Sequence, residues 1–256
     1  MQLFKAATRG DYTEYTDSIS EEVEEVSDID EDEWEDATVD VAYQDDLPLS
    51  DQPVSVLEGD VCSWMFPAEF CQSSIDGRNG SNACSVISLA VTHAFLTRND
   101  ALPQAGSLSS QWIKHLYLCM RLGNALYDNA RHSLPHRYLT AAEAAQLFCN
   151  YAPVKVHHPY PVRLQDQHLP STLENQLALL IQEGKRCAAL YIYDNKTVSF
   201  LISGDGTILF VDSHSHPPYG AAVIRANKLS PYFFSCLAKA ALLNSSTFGN
   251  FTRIEV

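Results

Sequence analysis

Cys84 closes a Gly/Asn/Ser-rich turn, Arg78 to Asn82, and opens an apolar run of helical length, CSVISLAVTHAFLT. Val86, Ile87, Leu89, Ala90, Val91, Ala94 and Phe95 are spaced to bury most of a helix. The cysteine therefore sits in a first turn, where unpaired N–H groups and the positive dipole end favour an anion. A thiol there loses its proton more easily, and the thiolate is the nucleophilic form. The second stretch is Phe210-Val211-Asp212-Ser213-His214-Ser215-His216 at the end of an apolar run. Residues two apart on a strand share a face, so Asp212 and His214 stand together, and His216 joins them if the strand continues. A carboxylate beside an imidazole accepts from one ring nitrogen and leaves the other to face a thiolate. Acyl transfer also needs donors for a developing oxyanion. The Cys84 backbone N–H is one by position, and Gln72, Asn79 and Asn82 are candidates for a side-chain amide. Blander roles use the same residues: a buried core cysteine, solvated histidines at a strand end, amides that serve turns.

The elements that must position these groups fall into a helical half and a strand half. The folded part is expected to begin near Gly59, with the apolar and aromatic segment 61–76 packing across its front. After the Cys84 helix, a loop from Thr97 to Ser107 leads into a second helix from Ser109 to about Ala125. Thr140 to Cys149 reads as a third helix capped by its threonine. Ser171-Thr172-Leu173-Glu174 reads as a capping box before a fourth, which Gly184 ends. Then come Cys187–Tyr193, a turn at Asp194-Asn195-Lys196, Thr197–Ser203, a Gly-Asp-Gly turn and Thr207–Asp212. That is an antiparallel meander. Ala221 to Ala226 offers a fourth strand, and a last helix runs from Pro231 to about Leu243. Helices first and an antiparallel sheet later make the fold class α+β. Pro217-Pro218 is expected to end the strand after His216 and turn that side chain toward solvent, leaving His214 as the working histidine.

Charge divides the chain differently. Residues 1–60 hold 20 of the 32 acidic residues and two of the 17 basic ones, Lys5 and Arg9. Residues 1–58 therefore read as an acidic, mostly disordered tail, and 59–256 as the catalytic-sized domain. Trp34 within the acidic run could engage a docking partner. No basic patch argues for nucleic acid, no apolar run approaches a membrane span, and no secretory leader is visible. Seven scattered cysteines without CxxC pairs fit a reducing intracellular compartment, cytoplasm or nucleus, and speak against a zinc site or a disulfide framework.

An upstream Gln, a Gly-rich loop into a Cys at a helix start, and a late Asp-x-His together resemble the deubiquitinases of herpesvirus large tegument proteins and their tegument-like relatives. The resemblance covers roughly residues 60–225 by order of elements and rests on the two short motifs. It implies a papain-like cysteine protease fold in which Cys84 is the nucleophile, His214 the general base and acid, and Asp212 its orienting partner. Gln72 resembles the family's oxyanion glutamine. It further implies ubiquitin or a ubiquitin-like protein as partner, hydrolysis after that protein's C-terminal glycine, and no cofactor. Asp166 and Glu174 are candidates for the arginines of such a substrate. Three other functions use the same residues: a papain-like peptidase or acyl transferase with a different substrate, an inactive interaction module, and a metal-dependent hydrolase. The last would place Asp212, His214 and His216 on one ion, with His157-His158 as further ligands.

Overall fold

The computed structural model describes residues 53–98, 101–164, 172–241 and 248–256. The run after Cys84 is helix α1 (Cys84–Thr97), and ten of its residues, Cys84 through Thr92 and Phe95, are buried. A helix apolar on nearly every side has to be covered on every side. One side of α1 packs on α2 (Ser110–Ala130) and α3 (Ala141–Phe148), the other on the sheet. Gly123 of α2 permits the closest approach, because a Cβ there would come 2.7 Å from the Ile87 backbone nitrogen. Helix α2 starts at the Ser109 cap and runs one turn further than periodicity predicts, because Tyr127 is also buried. Helix α3 carries a complete capping box, in which Thr140 accepts from the Glu143 N–H and the Glu143 carboxylate accepts from the Thr140 N–H.

Among the described residues the sheet has nine strands: β1 (Val54–Glu58), β2 (Val61–Met65), β3 (Lys155–Val156), β4 (Tyr160–Arg163), β5 (Cys187–Tyr193), β6 (Lys196–Ile202), β7 (Ile208–Asp212), β8 (Ala222–Ala226) and β9 (Phe248–Glu255). Their order is β1-β2-β8-β7-β6-β5-β9-β3, with β4 also on β9, and all these ladders are antiparallel. The expected meander is β5-β6-β7-β8. Its first turn is the two residues Asp194-Asn195, both at positive φ, the geometry a tight hairpin requires. The far face of the sheet is covered by α4 (Leu173–Gln182) and α5 (Pro231–Ala241). Leu173, Leu177, Phe233 and Leu237 meet Tyr191, Phe200, Phe210 and Phe251 there.

Three expectations are corrected. The domain begins no later than Val54, since β1 pairs along its whole length with β2, so a boundary at Gly59 cuts through a hairpin. Segment 61–76 opens with an interior strand, because Val61, Cys62 and Trp64 are buried between β1 and β8. The cap of α4 is Thr172, whose hydroxyl accepts from the Asn175 N–H at 3.1 Å. Gly184, at φ 62, ends that helix as expected. The acidic stretch 1–52, Trp34 included, lies outside the described residues.

Candidate active site

Strand register brings the distant motifs together. Ser199 of β6 pairs with Val211 of β7, so the end of β7 at Asp212 lies beside the start of β6. On the other face of β6, Ser85 of α1 donates to the Leu139 carbonyl at 2.8 Å and shares a 2.7 Å hydrogen bond with the Thr197 hydroxyl. Ser199 and Ser88 extend the same seam. The first turn of α1 is thereby fixed over the sheet end that carries Asp212 and His214. Its N-cap is Ala83, with no side chain to compete for the first amides.

Asp212 is fully buried, and its Oδ1 accepts from the His214 backbone N–H at 2.9 Å and lies 2.6 Å from His214 Nδ1. Cys84 lies close enough to His214 for each to shift the other's proton affinity, and its thiol also stands 3.9 Å from the Asn195 carbonyl oxygen. Burial pushes the Cys84 thiol up, but His214 and then the Thr197 N–H and hydroxyl outweigh it and hold the thiol below its ordinary value. Burial also opposes charge on His214, yet the Asp212 carboxylate and the Cys84 sulfur raise it to about 10. Asp212 itself, despite burial, is held well below the usual carboxylate range by His214 and His216. These directions favour the thiolate of Cys84 and the imidazolium of His214 over their neutral forms, beside an ionised carboxylate.

The upstream glutamine is drawn into the same site. Gln72 is 2% exposed, and its backbone N–H donates to the Ser213 carbonyl at 2.8 Å. Its Oε1 accepts from the Ser213 hydroxyl at 2.7 Å, while its Nε2 donates to the Ser81 carbonyl at a long 3.4 Å. Ser81 in turn is held by Asn124, which also donates to the Gln72 carbonyl. The other two amides differ. Asn79 is exposed, and the Asn82 side chain pairs with the Tyr127 phenol.

His216 departs from expectation. It is 6% exposed, because it and Tyr219 exchange both backbone hydrogen bonds (2.9 and 2.8 Å) and fold the Pro-Pro turn back. Its Nε2 lies 3.1 Å from the second carboxylate oxygen of Asp212, off the line of a well-aligned hydrogen bond. The two imidazoles thus stand on opposite oxygens of one carboxylate and do not converge on a common point. No cluster of three or more His, Cys, Asp or Glu side chains among the described residues is placed to hold a metal ion. His157 belongs instead to an ion pair with Glu255 at 3.0 Å.

A cleft of about 810 Å³ opens at Cys84 between the Tyr138–Ala142 segment, the His157–Pro159 turn, the Asp194-Asn195 turn and the start of β9. Glu174, exposed on α4, is not part of its lining, and Asp166 lies outside the described residues. Sequence reasoning missed Thr197 and Ser213. Thr197 was findable, since strand alternation puts it on the same face as Ser199, against α1.

No family model matches the chain, and no curated protein matches it in sequence. A solved structure does match in fold. It is the ubiquitin-specific protease encoded by murine cytomegalovirus tegument protein M48, in complex with a ubiquitin-based suicide substrate. The TM-score is 0.52 at 14% identity, over 73% of this chain and 84% of that one. The chain shares the fold of a viral ubiquitin-specific protease. At that identity the likeness concerns the mixed helical and antiparallel architecture. No helix among the described residues is long and apolar enough to cross a membrane.

Proposed function

We propose that the protein is a papain-like, cysteine-dependent hydrolase that cleaves the isopeptide or peptide bond after the C-terminal glycine of ubiquitin or a ubiquitin-like protein. The observation that carries it is the line Cys84–His214–Asp212, with 2.6 Å between His214 Nδ1 and Asp212 Oδ1 and the thiol at the uncapped start of α1. The fold shared with the viral ubiquitin-specific protease supports the substrate class.

In this mechanism the Cys84 thiolate attacks the glycine carbonyl, and the oxyanion is met by the Cys84 N–H and the Gln72 amide. His214 gives its proton to the leaving lysine amine as the tetrahedral adduct collapses to a thioester. The same imidazole, now neutral, takes a proton from water. The hydroxide so formed displaces the thiolate and releases the carboxylate. Asp212 keeps the ring in the tautomer that presents its free nitrogen to sulfur. The 810 Å³ cleft accepts the extended tail beside Cys84.

The test is incubation with ubiquitin bearing a C-terminal electrophile, read by intact mass. A single adduct that disappears in Cys84→Ala supports nucleophile and substrate class together. Alkylation of Cys84 by iodoacetamide without any ubiquitin adduct keeps the thiol chemistry and removes ubiquitin.

A further inference from the structure

Asp212 has two oxygens, and the catalytic line described above uses one. Oδ1 receives both the ring nitrogen and the backbone N–H of His214. Oδ2 is buried and makes no aligned hydrogen bond, and the group that stands against it is His216 Nε2 at 3.1 Å. That contact is the polar neighbour of a buried carboxylate oxygen; without it the oxygen would face none, a costly state that the carboxylate would relieve by rotating toward another partner. Rotation would take Oδ1 off the plane of the His214 ring.

We propose that His216 is a positioning residue for the proposed hydrolysis: it holds the second oxygen of Asp212 so that the first stays on His214. The inference builds on the assignment of Cys84, His214 and Asp212 as one catalytic unit. Two further observations favour it over a purely packing role. His216 does not line the Cys84 cleft but a separate apolar cavity of about 310 Å³, with Val56, Met65, Pro217 and Cys236 among its walls. It therefore acts on the reaction through Asp212 and not by touching substrate. Its backbone is also pinned by two hydrogen bonds with Tyr219, so the point from which the ring projects toward Asp212 is fixed by the turn. The other titratable groups around that cavity are Glu58 and Lys239, which pair with each other at 3.1 Å, together with Cys236 and Tyr219. Burial and then the charge of Asp212 push the Tyr193 phenol of β5 up.

The experiment uses the full chain and two readouts, the pH dependence of Cys84 alkylation by iodoacetamide and the steady-state cleavage of a ubiquitin C-terminal conjugate. His216→Ala should lower kcat by about ten- to a hundredfold with KM unchanged, the scale set by removing the polar group that stands against a buried anionic oxygen. It should also move the alkylation limb to higher pH. His216→Gln, which keeps an N–H near the position of Nε2, should restore most of both. His216→Phe keeps the volume without a donor and should behave like His216→Ala, which covers the case in which the alanine variant does not fold. On an Asp212→Asn background, His216→Ala should add no further loss, since residues acting as a unit are not additive. A folded His216→Ala or His216→Phe with the wild-type limb and wild-type kcat overturns the inference, as does an additive double variant. A wild-type protein whose Cys84 alkylates like an ordinary thiol overturns the triad assignment instead.

Discussion

The Ser213 hydroxyl donates to Gln72 Oε1 at 2.7 Å, inside the core and across 141 residues of sequence. Ser213 stands between Asp212 and His214, so the loop that carries Gln72 is fastened to the strand end that carries the histidine. The Gln72 N–H to Ser213 carbonyl bond doubles the link, and Ala221 N–H to Phe70 carbonyl extends it. With Oε1 engaged, the Gln72 amide nitrogen is turned to the Ser81 carbonyl, three residues before Cys84. As the proposed oxyanion donor, a side chain held this way would need little reorganisation beyond its long bond to the Ser81 carbonyl.

That arrangement separates two roles of Gln72 by experiment. Gln72→Ala should lower kcat for ubiquitin-conjugate cleavage by about 10²–10³, the cost of one oxyanion donor. Alkylation of Cys84 by iodoacetamide develops no oxyanion and should stay near wild type. If alkylation falls in parallel with kcat, Gln72 only scaffolds the site.

Cys84→Ala and His214→Ala should each remove essentially all turnover, and the pair together should cost no more than either alone. Asp212→Asn should lose on the order of 10⁴ in kcat, because the amide favours the wrong imidazole tautomer. Circular dichroism should show all three folded. Chelators should leave turnover unchanged, and a chelator-sensitive activity rescued by added zinc would point to a metal-dependent hydrolase instead.

The parts of the fold written in local periodicity were legible: the buried run after Cys84, the capped helix at Thr140, the meander from Cys187 to Asp212. The pairing of Asp212 with His214 was legible in their spacing, although the strand ends at Asp212 and His214 is held to it by the Oδ1 bonds to its backbone N–H and ring rather than by alternation. Strand β9 was not legible. FGNFTRIE mixes glycine, polar and charged residues, and it becomes a strand because β5 offers it a ladder from Ala188 to Ile192, some 60 residues upstream. Strands β3 and β4, of two and four residues, depend on β9 in turn. His216 was misplaced for a related reason. A Pro-Pro step says that a strand ends, but which way the chain then goes is decided by the backbone pairing of His216 with Tyr219.

The pH dependence should report the ion pair. Cys84 loses its proton below the ordinary thiol range, and His214 keeps its own up to about 10. Alkylation of Cys84 should therefore rise to a first plateau at a pH lower than that of a simple thiol. Cleavage needs the imidazolium as acid as well as the thiolate, so kcat should fall again as pH passes about 10. An alkylation profile that rises only in the ordinary thiol range would mean that His214 does not stabilise the thiolate.

Domain boundaries make the last prediction, because composition and structure place them differently. Charge alone puts the boundary at residue 58, whereas the sheet includes Val54–Glu58. Strand β1 presents Val54, Val56 and Leu57 largely to solvent, so it contributes less through burial than through its ladder to β2. It also carries Glu58, whose carboxylate meets Lys239 of α5 at 3.1 Å. Removing residues 1–52 should leave melting temperature and turnover unchanged. Removing residues 1–58 should bare the backbone of β2 along the edge that leads to Gln72, and lower Tm by about 2–4 °C for each kcal/mol lost. Calorimetry on the two truncations decides it: equal Tm values would show that β1 contributes nothing, and a large drop already at residue 52 would show that the acidic segment packs on the domain.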